Sequence, residues 1–239
     1  MKVQSSDKQY YDNQKVENLN MFAKKIRLYF DEYKHLIETK FKNKHNIVVL
    51  ELGAGSCTLS LLISSYSFVG KVICYDISTE RMQSLVLQNA KNISCVVDKL
   101  EFVGGDFSEK IPFDSNSIDI ILFDASLHHT RSMWNTLSEC KRVLKKDGLL
   151  VAQRESALGR ITYKFKLRKL LQTEEVKSGV SENAYLKEQY EYYFNAIGFK
   201  TLFIPMAETI LQRSLKFLNG FAYSKWIIIA NIEQKNGQN

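Results

Sequence analysis

An α/β fold, doubly wound on a mainly parallel sheet, is what this sequence predicts, and three observations predict it. The first is Ile47 to Leu50, an unbroken apolar run of the kind that forms strands buried on both faces of a parallel sheet. It passes through Glu51 and Leu52 into Gly53-Ala54-Gly55, and then into Leu59, Leu61, Leu62 and Ile63 at helical spacing. The second is recurrence: short apolar runs at 71–75, 100–103, 120–123 and 149–152 alternate with helical stretches, which is the pattern of βαβ units. The third is the placing of acids. Glu51, Asp76, Asp124 and Glu155 stand where strands end, the edge at which open α/β sheets bind ligands.

Taken in order, residues 1–13 read as a loose lead whose feature is Tyr10-Tyr11-Asp12. From about Val16 to Phe41, Leu19, Phe22, Ile26, Tyr29, Phe30, Tyr33, Leu36, Ile37 and Phe41 form a helical stripe, a helix or helix pair packed beside the sheet. Lys71–Tyr75 is the second strand, and Ser78 caps the helix carrying Met82, Leu85 and Val86. Residues 92–99 fit either a helix end or a short strand; Leu100–Val103 is the third strand and Ile120–Phe123 the fourth. Trp134–Leu144 is a helix closed by Asp147-Gly148, followed by the fifth strand, Leu149–Ala152. A basic cluster (Arg160, Lys164, Lys166, Arg168, Lys169) is interleaved with apolar residues in 156–194, a solvated amphipathic helix or an anion-attracting lid. Thr201–Pro205 is the sixth strand and Lys225–Ala230 the seventh, antiparallel one. Between them Ile210, Leu211, Leu215, Phe217 and Leu218 form an apolar helical segment, a second lid or a dimer contact.

A strand, a glycine loop and a helix start in succession set backbone N–H groups and the positive end of a helix beside a ligand. A dinucleotide fingerprint wants glycine where Thr58 stands. Glu51 argues further against one, because a carboxylate there accepts from an ammonium group and repels a pyrophosphate. The alternative is a glycine turn that only packs a helix on a strand. Asp76, at the end of the second strand, is placed to accept from two ribose hydroxyls; the competing reading is a helix cap, a job for which Ser78 also stands ready.

Glu51-Leu52-Gly53-Ala54-Gly55 resembles motif I of the class I S-adenosylmethionine (SAM)-dependent methyltransferases, although Cys57 stands where that motif usually has another glycine. Gly104-Gly105-Asp106-Phe107 resembles the family's Gly-Asp-aromatic signature, and Glu139 to Gly148 its E-x-x-R-V-L-K-x-x-G run. The stretch from Pro112-Phe113 to Leu127-His128-His129 resembles the small-molecule branch, which includes quinone-biosynthesis C-methyltransferases. The resemblance covers about residues 45–155. It implies a Rossmann-like sheet of seven strands with the last antiparallel, an N-terminal helical cap over 1–44, and a methyltransferase domain over 45–239 with a substrate lid at about 156–194. It implies SAM as cofactor, held by Glu51, Gly53, Ala54, Gly55, Asp76, Ile77, Asp106, Phe107 and Asp124, with Asp106 on the adenine amine and Phe107 on its ring. Tyr10 or Tyr11 would close over the cofactor from the cap.

Methyl transfer from a sulfonium is an in-line displacement, so alignment and exclusion of water matter most. An oxygen nucleophile also gains from a base, for which His128 and His129 are the candidates and Glu155 a lesser one. The expected reaction is therefore methylation of a small molecule, oxygen slightly favoured over nitrogen or carbon. An RNA methyltransferase is the second reading, motivated by the net charge of +7, but no Asn-Pro-Pro-Tyr run or proline-flanked catalytic cysteine accompanies it. A non-catalytic SAM-binding partner protein is the third. The four cysteines have no C-x-x-C spacing, so no metal site is expected, and reduced thiols suit a cytoplasmic protein. The N-terminus lacks the apolar core of a secretory signal, and no run is long enough to span a membrane. A monomer or a homodimer is expected, with an anionic small molecule among the substrates the basic cluster would suit.

Overall fold

The computed structural model describes residues 2–13, 19–91, 93–158, 163, 167–168, 171–178, 180–206 and 225–233. Seven strands form one sheet: β1 (Ile47–Leu52), β2 (Val69–Asp76), β3 (Leu100–Gly104), β4 (Ile118–Asp124), β5 (Leu144–Glu155), β8 (Phe199–Pro205) and β9 (Trp226–Ile232). Their order is β3-β2-β1-β4-β5-β9-β8, and β9 runs antiparallel to both its neighbours while the rest are parallel. The sheet is the seven-stranded, doubly wound one that the sequence predicts. The chain builds outward from β1 to β3 and then returns to lay β4 on the other side of β1. That reversal opens a crevice at the carboxyl ends of β1 and β4, where ligands of such sheets bind.

The apolar runs divide by alternation between two layers. Val49, Val72, Ile120, Leu122, Val151 and Ile229 face helices α2 (Leu19–Phe41), α3 (Thr58–Ser64) and α4 (Thr79–Ala90). Leu50, Ile73, Ile121, Phe123, Leu150 and Ile228 face α5 (Met133–Val143) and α6 (Lys187–Ile197). The predicted stripe of α2 is a buried face: Ile26, Tyr29, Phe30, Tyr33, Ile37 and Phe41 all lie inside. α2 is thus a flanking helix of the sheet, and α1 (Lys2–Asn13) is the element that crosses the cleft mouth.

Three local expectations are corrected. Residues 2–13 are a helix, not a loose lead, and polar contacts seat it: Lys8 pairs with Glu80 at 2.9 Å, the Ser78 hydroxyl donates to Asp12, and Arg81 donates to the Tyr11 carbonyl at 2.7 Å. Gly148 does not end α5. That helix stops at Val143, Leu144 turns extended, and Gly148 stands inside β5, where a Cβ would lie 2.6 Å from Leu144 Cδ1. Residues 187–194, expected in the lid, begin α6 and pack Tyr190 and Phe194 against the core. Upstream of them, the described part of the insertion is a two-strand pairing of β6 (Ala157–Leu158) with β7 (Tyr185–Leu186), plus one helical turn at Glu174–Lys177. Arg160, Lys164, Lys166 and Lys169, and the segment holding Ile210, Leu211, Leu215, Phe217 and Leu218, lie outside the described residues. No helix among the described residues is long and apolar enough to cross a membrane.

Candidate active site

The crevice between β1 and β4 opens into a cleft of about 730 Å³, solvent at its mouth included. Its floor is the glycine loop. Gly53 has φ 72, and a Cβ there would sit 2.6 Å from that of Ser126, so both backbone angle and space require glycine. Gly53 and Ala54 donate their N–H groups to the Tyr75 carbonyl, at 2.8 and 3.2 Å. Cys57, where a third glycine is usual, takes the left-handed conformation itself at φ 55.

Asp76 ties this loop to the end of β2. One carboxylate oxygen accepts from Gly55 N–H at 2.8 Å and the other from Ser78 N–H at 2.9 Å. Burial pushes the Asp76 carboxyl above its ordinary range, and these two donors pull it part of the way back. Each oxygen keeps capacity for one further donor, and the residue lines the cleft beside Ile77. The capping role falls to Ser78, whose hydroxyl accepts from Arg81 N–H at 3.1 Å.

Of the residues singled out in the sequence, Tyr11, Gly53, Gly55, Asp76, Ile77, Asp106, Phe107, Asp124 and His129 line the cleft. Glu51, Ala54 and His128 do not, and for Glu51 the reason is geometric. It shares a strand face with Val49, and its carboxylate turns to α3, accepting from the backbone N–H of Ser60 at 2.8 Å and from the Ser60 hydroxyl. It is 1% exposed, and burial pushes its carboxyl well above the usual range. Glu51 therefore fastens strand to helix instead of meeting a ligand's ammonium group.

Two of the lining acids are already engaged. Asp106 accepts from Ser108 N–H at 2.7 Å and pairs with Arg131 at 2.6 Å. Asp124 receives both arms of Arg154, at 2.6 and 2.8 Å, and the Gln153 amide at 2.9 Å. Arg154 has φ 59 and Ala125 φ 51, so the carboxyl ends of β4 and β5 both hold left-handed non-glycine residues, a backbone strain that concentrates at functional sites. Phe107 stands edge-on to Phe123, with ring centres 5.8 Å apart.

Behind the loop after β4, Glu155 is a hub. It is fully buried and accepts from Ser126 N–H at 3.1 Å and Leu127 N–H at 3.0 Å, while its second oxygen lies 2.6 Å from His128 Nδ1 and receives the Tyr190 hydroxyl at 3.3 Å. Burial alone would raise the Glu155 carboxyl, but His128, Leu127 N–H and Lys225 hold it below its ordinary value. His129 turns the other way, into the cleft. Its Nδ1 lies 2.9 Å from the Ser181 carbonyl, 2.8 Å from a Glu182 oxygen and 3.5 Å from the Tyr11 hydroxyl. Burial would lower the His129 pKa; Glu182, the Ser181 carbonyl and Glu155 raise it above the ordinary imidazole value.

Sequence reasoning missed Asp7, Arg81, Arg131 and Glu182. Asp7 lines the cleft, and its Oδ1 is buried with no hydrogen-bond partner among the described residues. Burial, and then the charge of Asp106, push its carboxyl up. One signal was available: Asp7 and Tyr11 are four residues apart, on one face of a helix.

Residues 50–152 match a family model described as a methyltransferase domain. A demethylmenaquinone methyltransferase from Leptospira interrogans is 27% identical over 145 residues, covering 56% of this chain and 57% of that protein. The chain thus spans little more than half the length of the curated relatives it matches. Among solved structures, a putative methyltransferase from Bacillus halodurans C-125 superposes with a TM-score of 0.60 at 14% identity, over 85% of this chain and all of that one. A phosphoethanolamine N-methyltransferase from Haemonchus contortus, solved with phosphomonomethylethanolamine and S-adenosylhomocysteine, gives 0.61 at 18% identity, over 86% and 53%. At these identities the superpositions speak for the fold alone.

Proposed function

We propose that the chain, matched over residues 50–152 by a methyltransferase-domain model, is a class I SAM-dependent methyltransferase that transfers a methyl group to a small-molecule acceptor, with oxygen the favoured nucleophile. The observation that carries this reading is one cleft wall holding both Asp76, with acceptor capacity to spare on each oxygen, and His129, a base aimed inward. The residues present fit the cofactor. Asp76 suits a ribose diol, Ile77 and Phe107 give apolar surface for a flat base, and the unpartnered Asp7 Oδ1 suits a donor such as an amine.

SAM, when bound, supplies an electrophilic methyl on a sulfonium. The glycine loop and Asp76 would hold its nucleoside at the ends of β1 and β2. α1 lays Asp7 and Tyr11 over the cleft and excludes water, which competes as a nucleophile. His129 takes the proton from the acceptor hydroxyl, its basicity supported by Glu182. Glu155 keeps His128 and the loop after β4 in position.

A second reading, methylation of an activated ring carbon, is favoured by the relative described as a demethylmenaquinone methyltransferase. A pair of measurements on His129→Asn tests the proposal. SAM affinity by calorimetry is expected to change less than about 3-fold, while transfer to a hydroxyl acceptor falls about 100-fold or more. Hydroxyl transfer that survives in His129→Asn rules out His129 as the base, and a product of the unaltered chain labelled on a ring carbon rules out the oxygen reading.

A further inference from the structure

Behind the part of the cleft that His129 lines lies a side-chain cluster that cofactor binding does not use. His128 Nε2, His129 Nδ1 and the Glu182 carboxylate offer three donor atoms that all lie within 4.8 Å of one another. His128 Nε2 is 3.5 Å from one Glu182 oxygen, and His129 Nδ1 is 2.8 Å from the other. Ligands at about 2.0–2.2 Å from a tetrahedral cation stand roughly 3.3–3.6 Å apart, so His128 Nε2 and Glu182 are already at that spacing, while His129 Nδ1 has to draw back from Glu182 and give up its contact with the Ser181 carbonyl, 2.9 Å away.

Two further observations point the same way. His128 is held from behind, its Nδ1 2.6 Å from a Glu155 carboxylate that is itself fully buried and fixed by two backbone N–H groups. A carboxylate on one imidazole nitrogen fixes the tautomer that leaves a lone pair on the other, the arrangement found behind metal-ligating histidines. That other nitrogen, Nε2, is the one facing Glu182. In addition, Glu182 Oε2 is shielded from solvent and makes no aligned hydrogen bond among the described residues, close as it is to His129. Its charge is met there by the two imidazoles, and a cation between them would meet it more fully.

We propose that His128, His129 and Glu182 form a binding site for a divalent transition cation of the Zn²⁺ or Mn²⁺ class. Two imidazoles and a carboxylate suit such ions, whereas Mg²⁺ and Ca²⁺ take oxygen ligands and keep more water. The expectation of no metal rested on cysteine spacing alone; the fold brings Glu182 to the histidine pair from the segment before β7. A bound cation would stand where His129 meets the cleft and would supply Lewis-acid activation of an acceptor oxygen. His129 Nδ1 would then be a ligand, so the base role given to His129 above belongs to the metal-free chain. The inference rests on the methyltransferase reading for that last step only; the site itself stands on the geometry.

Calorimetry on the reduced, metal-stripped full chain tests it, with Zn²⁺, Mn²⁺ and Mg²⁺ as probes and SAM titrated separately. The expected result is one Zn²⁺ or Mn²⁺ per chain, no Mg²⁺ binding, and affinity lowered about 100-fold or more in Glu182→Gln and in His128→Gln, with SAM affinity kept. Absence of binding, or binding unchanged in both variants, overturns the proposal. If the variants misfold, the Co²⁺ absorption spectrum of the unaltered chain decides. Nitrogen and oxygen ligation lacks the thiolate charge-transfer band that a cysteine site displays, and presence of that band sinks the idea. Failure of SAM to bind, with cation binding intact, counts against the methyltransferase reading and leaves the metal site standing.

Discussion

The hydroxyl of Tyr11 lies 3.5 Å from Nδ1 of His129, joining the first helix to the loop after β4 across the mouth of the cleft. The edge-to-face contact of the two rings, at 6.0 Å, puts the same helix face over the same residue. What holds α1 there is polar, so its seating is separable from the core.

Arg81 is one of those polar ties, donating to the Tyr11 carbonyl at 2.7 Å and standing 5.8 Å from the Tyr11 ring centre. Replacing it with alanine is expected to speed SAM dissociation about 10-fold, the worth of one charge-assisted hydrogen bond, with the melting temperature nearly unchanged. Stopped-flow displacement measures it. An unchanged off-rate means that α1 does not cover the cofactor.

Asp76 serves two partners, and its loss should be felt by both. Asp76→Ala is expected to weaken SAM binding about 100-fold and to leave Gly55 and Ser78 N–H unpaired, at a further cost to stability of about 1–3 kcal/mol. Calorimetry and urea unfolding read the two effects separately. Binding that survives a confirmed loss of stability would reduce Asp76 to a structural tie.

Breaking the Asp124–Arg154 pair should cost more than a surface pair would, because both partners are nearly buried. Arg154→Ala strands the Asp124 carboxylate and removes the guanidinium from the Phe22 ring, 4.7 Å away, so a loss of roughly 3–5 kcal/mol is expected in urea unfolding. A change under 1 kcal/mol contradicts the account of this corner.

Glu51 gives the fold a pH signature. Burial raises its carboxyl well above the ordinary value, so the folded chain holds that proton more tightly than the unfolded one. The contribution is fully present below the unfolded pKa, near 4.3, and is lost as pH rises through the folded value, with a slope of up to about 1.4 kcal/mol per pH unit. Glu51→Gln removes the slope. Unfolding free energies of the two proteins, compared from pH 4 to 8, should converge at the acid end and diverge in the variant's favour above it; parallel curves would refute the assignment.

The sheet was legible because parallel strands buried on both faces read as apolar runs, and Gly53 was legible because a left-handed turn pressed against Ser126 admits little else. Glu51 was misread although the information was present: alternation along β1 sets it on the face of Val49, toward α3, and not toward the cleft. α1 was invisible to a search for apolar periodicity, since polar contacts seat it. Glu182 reaches the cleft by tertiary folding alone, and a lone acid in a sequence gives no sign of that, while Asp7 gave only its four-residue spacing from Tyr11. Gly148 misled because a glycine after a helix serves a close approach as readily as a left-handed cap.

The most direct test of the central claim is transfer of labelled methyl from SAM into a fractionated cell extract, with Asp76→Ala as the control. The account predicts label in the low-molecular-weight or lipid fraction that disappears with the variant. Label confined to RNA would contradict the small-molecule assignment, and a chain that neither binds SAM nor labels any fraction would contradict the methyltransferase reading altogether.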